Sequence, residues 1–300
     1  MNKRTKGILL VLATAFISGF AVFSNKFALA SFNPFVFTTL KNSFVALFVF
    51  SIAYLGTRAK ELKTLTKREW GKLALIGFVG GSIPFLLFFW GLGQTAASNA
   101  ALLHKSLFVF ASALAIIFLK EKISLKQLLA TGLLFAGAFV LSGMSFGQVT
   151  IGDFAILAAV LLWSAENILS KHVLNTKLSA NTVVFGRMFF GSLVMLAFLG
   201  ATGSLPDPAA LTINHFSWVL ITSVFLLGYQ LTYYNGLRLL KVSEATSILV
   251  LGTVVTSLLS LAAGSVITFP QALGGLLVML AVSIISLFPE EVKSSVPVQA

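Results

Sequence analysis

The sequence predicts an all-α polytopic membrane protein. Ten transmembrane helices are expected as two inverted five-helix repeats, with both termini cytoplasmic. Three observations carry this. The 300 residues are 57% hydrophobic and only 10% charged, against about 25% charged in an ordinary soluble domain. Ten apolar runs approach the roughly 20 residues that a helix needs to cross a bilayer core of about 30 Å. The chain also matches itself at an offset of 145 residues.

The first run follows "MNKRTKG". It mimics a secretory leader, and Ala28 to Ala30 mimic a cleavage site. The apolar stretch from Gly7 to Phe23 is longer than a leader core, and Asn25 and Lys26 precede the supposed cut. An uncleaved first span over 7–30 is therefore expected. The others are expected at 34–56, 70–92, 97–119, 125–144, 151–173, 180–200, 215–237, 243–264 and 270–288. The connections are too short to fold as separate domains. The glycines in "GFVGG" (Gly77–Gly81) and Pro84 let the third span pack closely or bend.

Basic residues orient the spans. All but four of the 21 lysines and arginines fall in one set of alternate segments. Lys3, Arg4 and Lys6 begin it; Arg58 to Lys72, Lys120 to Lys126, Lys171, Lys177, Arg238, Lys241 and Lys293 continue it. The opposite loops hold none. The positive-inside rule puts the basic side in the cytoplasm. The same placement explains a net charge of +12 without nucleic acid as partner. No cysteine is present, so there is neither disulfide nor thiol metal site. Neither metal nor cofactor is expected.

The internal match is specific. "SNKFAL" from Ser24 answers "LSKHVL" from Leu169, and "FFWGLGQTAASNA" from Phe88 answers "YYNGLRLLKVSEA" from Tyr233. Lys41 aligns near Arg187. Units of 1–146 and 147–290 are expected, followed by a short cytoplasmic tail over 291–300. An odd number of spans per unit inverts the second copy, an arrangement typical of secondary transporters. On these motifs, and on "FLKEKIS" from Phe118, the sequence resembles the drug/metabolite transporter superfamily, specifically its EamA-type permeases. The resemblance implies alternating access around a central cavity lined by the first four helices of each repeat, with spans five and ten peripheral. The family often has a proline early in the fourth helix. Neither "LLHKSLFVF" nor "SILVLGTVV" has one.

Charges inside the spans mark the candidate site, because each costs about 2.5–3.5 kcal/mol at a helix centre. At 1.5 Å per residue, Lys41 and Lys105 lie roughly 10–12 Å below the outer surface. Glu166 and Arg187 share a level roughly 10 Å from the inner one. The latter two are expected to pair, either to fix packing or to serve substrate. Lys41 and Lys105 have no acid at their level and can attract an anion. Lys105 has Val250 as its counterpart in the second half, so the fold's symmetry does not demand a cation there. His104 either bonds a neighbouring helix or handles a proton or substrate. Trp90, Trp163, Tyr229, Tyr233 and Tyr234 are candidate cavity aromatics, with core packing or an interfacial belt as the competing role. Lys26 is expected to snorkel.

A secondary-active permease of the inner (plasma) membrane follows, for a small polar metabolite, anionic or zwitterionic. An amino acid or related carboxylate fits, and family precedent favours export. A sugar-phosphate or nucleotide-sugar carrier and a passive channel are the alternatives. The proton is a possible coupling ion, and the assembly a monomer or homodimer in the lipid bilayer. Enzyme chemistry is not expected: paired carboxylates and a metal cluster are missing, and Ser106 beside Lys105 makes a poor dyad, since adjacent helix positions diverge. No phosphate-loop motif supports ATP drive.

Overall fold

The computed structural model describes residues 1–30, 32–55, 59–142, 149–207 and 211–288. Arg58, the boundary at 146/147, and the tail over 291–300 with Lys293 lie outside these residues. The described chain is helical: α1 (Lys3–Leu29), α2 (Pro34–Leu55), α3 (Ala59–Lys63), α4 (Lys67–Gly81), α5 (Ile83–Leu92), α6 (Ala97–Lys105), α7 (Leu107–Leu119), α8 (Leu125–Ser142), α9 (Ile151–Leu174), α10 (Ala180–Ala201), α11 (Ile213–Leu239), α12 (Val242–Leu249), α13 (Leu251–Ala262) and α14 (Phe269–Leu287). Among the described residues, ten helical segments are long and apolar enough to cross a membrane. Spans three, four and nine each consist of two consecutive helices: α4–α5, α6–α7 and α12–α13.

Helix is the natural choice because lipid offers no partner to a backbone amide. The ends are fixed by short polar residues. Thr66 and Glu69, and Thr268 and Gln271, form reciprocal capping boxes at the starts of α4 and α14.

The helix pairs map onto one another when the first five spans are exchanged for the last five. Helix α1 packs on α11, as α9 packs on α4 and α5. The same α1 lies against α12 and α13, as α9 lies against α6 and α7. The pair α4–α10 answers α11–α2, while α2–α10 and α8–α14 answer themselves; α7 packs on α12 without an equal contact between their counterparts α13 and α6. Spans five and ten, α8 and α14, pack mainly on each other at the edge of the bundle. Among the ten spans, those formed by α9 and α10 are the most buried.

Close approach of α4 to α10 depends on glycine. A Cβ on Gly81 would stand 2.4 Å from the Arg187 carbonyl oxygen, and one on Gly191 would stand 2.7 Å from the Gly81 carbonyl oxygen. Backbone cannot yield cheaply. Gly81→Ala is expected to cost about 1–3 kcal/mol, the usual price of overpacking, read as a lower melting temperature in detergent. Gly132→Ala, where a Cβ meets nothing within 4 Å, should leave it unchanged.

Candidate functional site

The site is organised by a break in span three. In an uninterrupted helix the Gly80 carbonyl would accept from the amide of residue 84, which is proline and has none. The chain breaks at Ser82 (φ −137°, ψ −76°), and neighbouring helices supply the missing donors. Trp163 Nε1 and Arg187 Nη2 donate to the Gly80 oxygen at 3.1 and 2.9 Å. Asn42 Nδ2 donates to the Gly81 oxygen at 3.2 Å. The bend expected from Gly77–Gly81 and Pro84 thus has a specific use: it frees the Gly80 carbonyl for the second half of the chain and the Gly81 carbonyl for α2.

Around this break the structure gathers most of the predicted residues. Glu166, on α9, accepts hydrogen bonds from the Tyr234 hydroxyl and the Ser170 hydroxyl. Arg187 Nε stands 3.8 Å from Glu166 Oε1. That is an ion pair without a hydrogen bond, and Nε has no other acceptor. Both side chains are buried. Tyr233 donates to Asn167, whose Nδ2 donates to the Trp163 carbonyl at 2.8 Å. Tyr229 stacks on Tyr233 with ring centroids 5.7 Å apart. The cluster is a continuous polar network between α4, α9, α10 and α11, consistent with the rule that polar groups in lipid satisfy one another.

His104 joins the network from span four. Its ring lies against Phe88 and Trp163, with centroids 5.2 and 5.3 Å away, yet it is exposed on its remaining surface. Lys105 follows at the end of α6, half-buried. Among the described residues the Lys105 ammonium has no acceptor and no acid. Lys41 is buried, at 9% exposure. Its Nζ reaches Asn25 Oδ1 at 3.2 Å and lies 4.7 Å from the centre of the Phe37 ring. Trp90 stands apart, 49% exposed on α5 with no ring partner among the described residues.

Span four is interrupted directly after Lys105, without a proline. Val109 N donates to the Ser106 carbonyl three residues back at 2.9 Å, and the Ser106 hydroxyl donates to the Leu103 carbonyl at 2.6 Å. Span nine has the same interruption at the matching place. There Val250 N donates to the Ser247 carbonyl at 3.2 Å, and Thr253 N to the Val250 carbonyl at 3.0 Å. Each is one tight turn of 3₁₀ character inside a helix, a usual mark of a hinge.

Fold and site together define a ten-span helical membrane protein with a polar cluster at the junction of its two halves. The sequence pattern of the EamA-like transporter family matches the chain twice, over residues 5–143 and 150–287, and the chain belongs to that family. It is 27% identical over 242 residues to an uncharacterized transporter of Clostridium kluyveri, covering 77% of this chain and 76% of that one. It is 27% identical over 264 residues to an uncharacterized transporter of Archaeoglobus fulgidus, covering 87% and 80%. A solved crystal structure superposes with a TM-score of 0.80 over 95% of this chain and 98% of its own, at 14% identity. At that identity the likeness concerns the fold. The chain is therefore a transporter of the drug/metabolite type.

Proposed function

We propose that the chain is a secondary-active permease for a small metabolite bearing a carboxylate, such as an amino acid or related acid, worked by alternating access. The observation that carries this is Lys105: a cation deep in a span, beside a hinge, with no protein partner among the described residues. A charge so placed is expensive unless water or a ligand meets it. Lys41, held by the neutral Asn25, is the second cation of the site. His104 lines the same region and is the residue suited to move a proton. Arg187 is already committed to Glu166 and Gly80. With Lys41 held by Asn25, the site is left with Lys105 as its cation without a partner among the described residues, which suits the single charge of a carboxylate better than a doubly charged phosphate and ranks the sugar-phosphate reading second.

The exchange symmetry of the helix pairs supports two repeats rocking against each other, with units of 1–146 and 147–290. The test is uptake by proteoliposomes of amino acids, organic acids and sugar phosphates, with and without a proton gradient. Saturable exchange of a carboxylate is the expected result; single-channel currents would favour a pore.

Orientation has its own test. The basic loops put both termini in the cytoplasm, the side from which an exporter loads. A reporter fused after Ala300 is expected to read as cytoplasmic, and periplasmic activity there would reverse every depth given above.

A further inference from the structure

Lys171 closes one end of the bundle. It ends α9, and its Nζ donates to the carbonyls of Leu237, Arg238 and Leu240 at 2.8, 3.2 and 2.7 Å. These are the carbonyls at the C-terminal end of α11, which no helical amide satisfies. A pocket of about 360 Å³, lined by Glu121, Lys171, Asn175 and Lys241, opens beside the contact. By the basic-loop rule this is the cytoplasmic end.

In the internal match, Lys171 corresponds to Lys26, and Leu237, Arg238 and Leu240 correspond to Leu92, Gly93 and Thr95. Lys26 ends the first span as Lys171 ends the sixth. Its surroundings differ. Lys26 is exposed and has no side-chain partner among the described residues. Helix α9 touches both α11 and α12 only lightly, and α1 touches α5 and α6 more lightly still. The inner end is tied by its lysine and its counterpart is not.

We propose that Lys26 and Lys171 are reciprocal gate residues. Lys171 holds the inner gate shut in the state described. In the opposite state Lys26 crosses to the carbonyls of Leu92, Gly93 and Thr95, while Lys171 withdraws into the adjoining pocket. Each lysine exchanges water for helix-end carbonyls, so neither needs a carboxylate partner that substrate would have to displace. The neighbouring tie by Glu121 has no such twin. Glu121 accepts from the amides of Val242 and Ser243 at 2.7 and 3.2 Å, but its counterpart is Val266. The lysine pair is the part of the gate that works at both ends. The proposal rests on the alternating-access reading.

The chain has no cysteine, so spin labels can be placed without altering the background. One pair at Ala30 and Gln94 reports the outer end, and one at Asn175 and Arg238 reports the inner end, by electron–electron double resonance in lipid nanodiscs. Lys171→Met is expected to shift the populations about tenfold towards a short outer and long inner distance, as loss of hydrogen bonds to a charged group implies. Lys26→Met is expected to shift them the opposite way. Because Lys26 has no partner in the state described, this second variant does not threaten that state's folding. Arginine at either position should restore most of the wild-type distribution. Two populations in the wild type that neither variant redistributes, or that both move in the same direction, would overturn the gate assignment alone. A single fixed distance at both ends in all three proteins would overturn alternating access itself.

Discussion

Lys105→Met is expected to lower the transport efficiency of a carboxylate substrate by about 10- to 100-fold while raising the stability of the folded protein. The opposite signs identify the residue's role. A charge-assisted hydrogen bond contributes about 1.5–3 kcal/mol, which is the loss in transport. An ammonium inside a span costs about 2.5–3.5 kcal/mol to insert, and methionine removes that cost with nearly the same length. Nothing in the protein is orphaned by the change, because Lys105 holds no protein acceptor among the described residues. Lys105→Arg should keep part of the activity, since it keeps the charge but not the compact head. His104→Gln should change the pH dependence of transport more than the affinity, the result expected of an imidazole that handles a proton. The measurement is initial uptake by purified protein in liposomes, beside its melting temperature. Unchanged uptake with a lower melting temperature would make Lys105 a structural residue.

The architecture was legible because the physics of lipid leaves few choices. Apolar length names the spans, and the internal match pairs them. The pairing of Glu166 with Arg187 was also legible, from depth alone. Other parts of the site were hidden for specific reasons. Gly77–Gly81 and Pro84 signal a bend in span three, but no local pattern says that the freed Gly80 carbonyl will be taken by Trp163 and Arg187 from the other half. The interruptions at Ser106 and Val250 carry no proline. They arise from single i→i−3 turns, and the Ser106 hydroxyl bonding Leu103 is the one local hint. Asn25 as the partner of Lys41 required knowing which faces of α1 and α2 meet. Lys171 reads as one more basic residue at a span end until its three carbonyl partners are in view.

Glu166→Gln and Arg187→Gln are expected to be strongly non-additive in their effect on stability. Glu166→Gln leaves a buried guanidinium whose remaining contact is the Gly80 carbonyl, and it weakens the acceptor for Tyr234 and Ser170. Arg187→Gln leaves a buried carboxylate supported by two hydroxyls. Breaking a buried pair from one side typically costs about 3–5 kcal/mol, most of it the penalty of the stranded charge. Removing both charges strands neither. The double variant should therefore be more stable than the sum of the single losses predicts, by about 1–3 kcal/mol. The gap is expected even though Nε and Oε1 are 3.8 Å apart and share no hydrogen bond, because Coulomb attraction between side chains this buried is little screened. Thermal unfolding of the four proteins in one detergent measures the coupling, and uptake in liposomes assigns it. If the double variant recovers stability and transport together, the pair serves packing. If it recovers stability while transport stays lost, the charges serve the substrate or the coupled ion. Strictly additive losses in stability would mean that the two residues act separately, Arg187 through Gly80 and Glu166 through Tyr234.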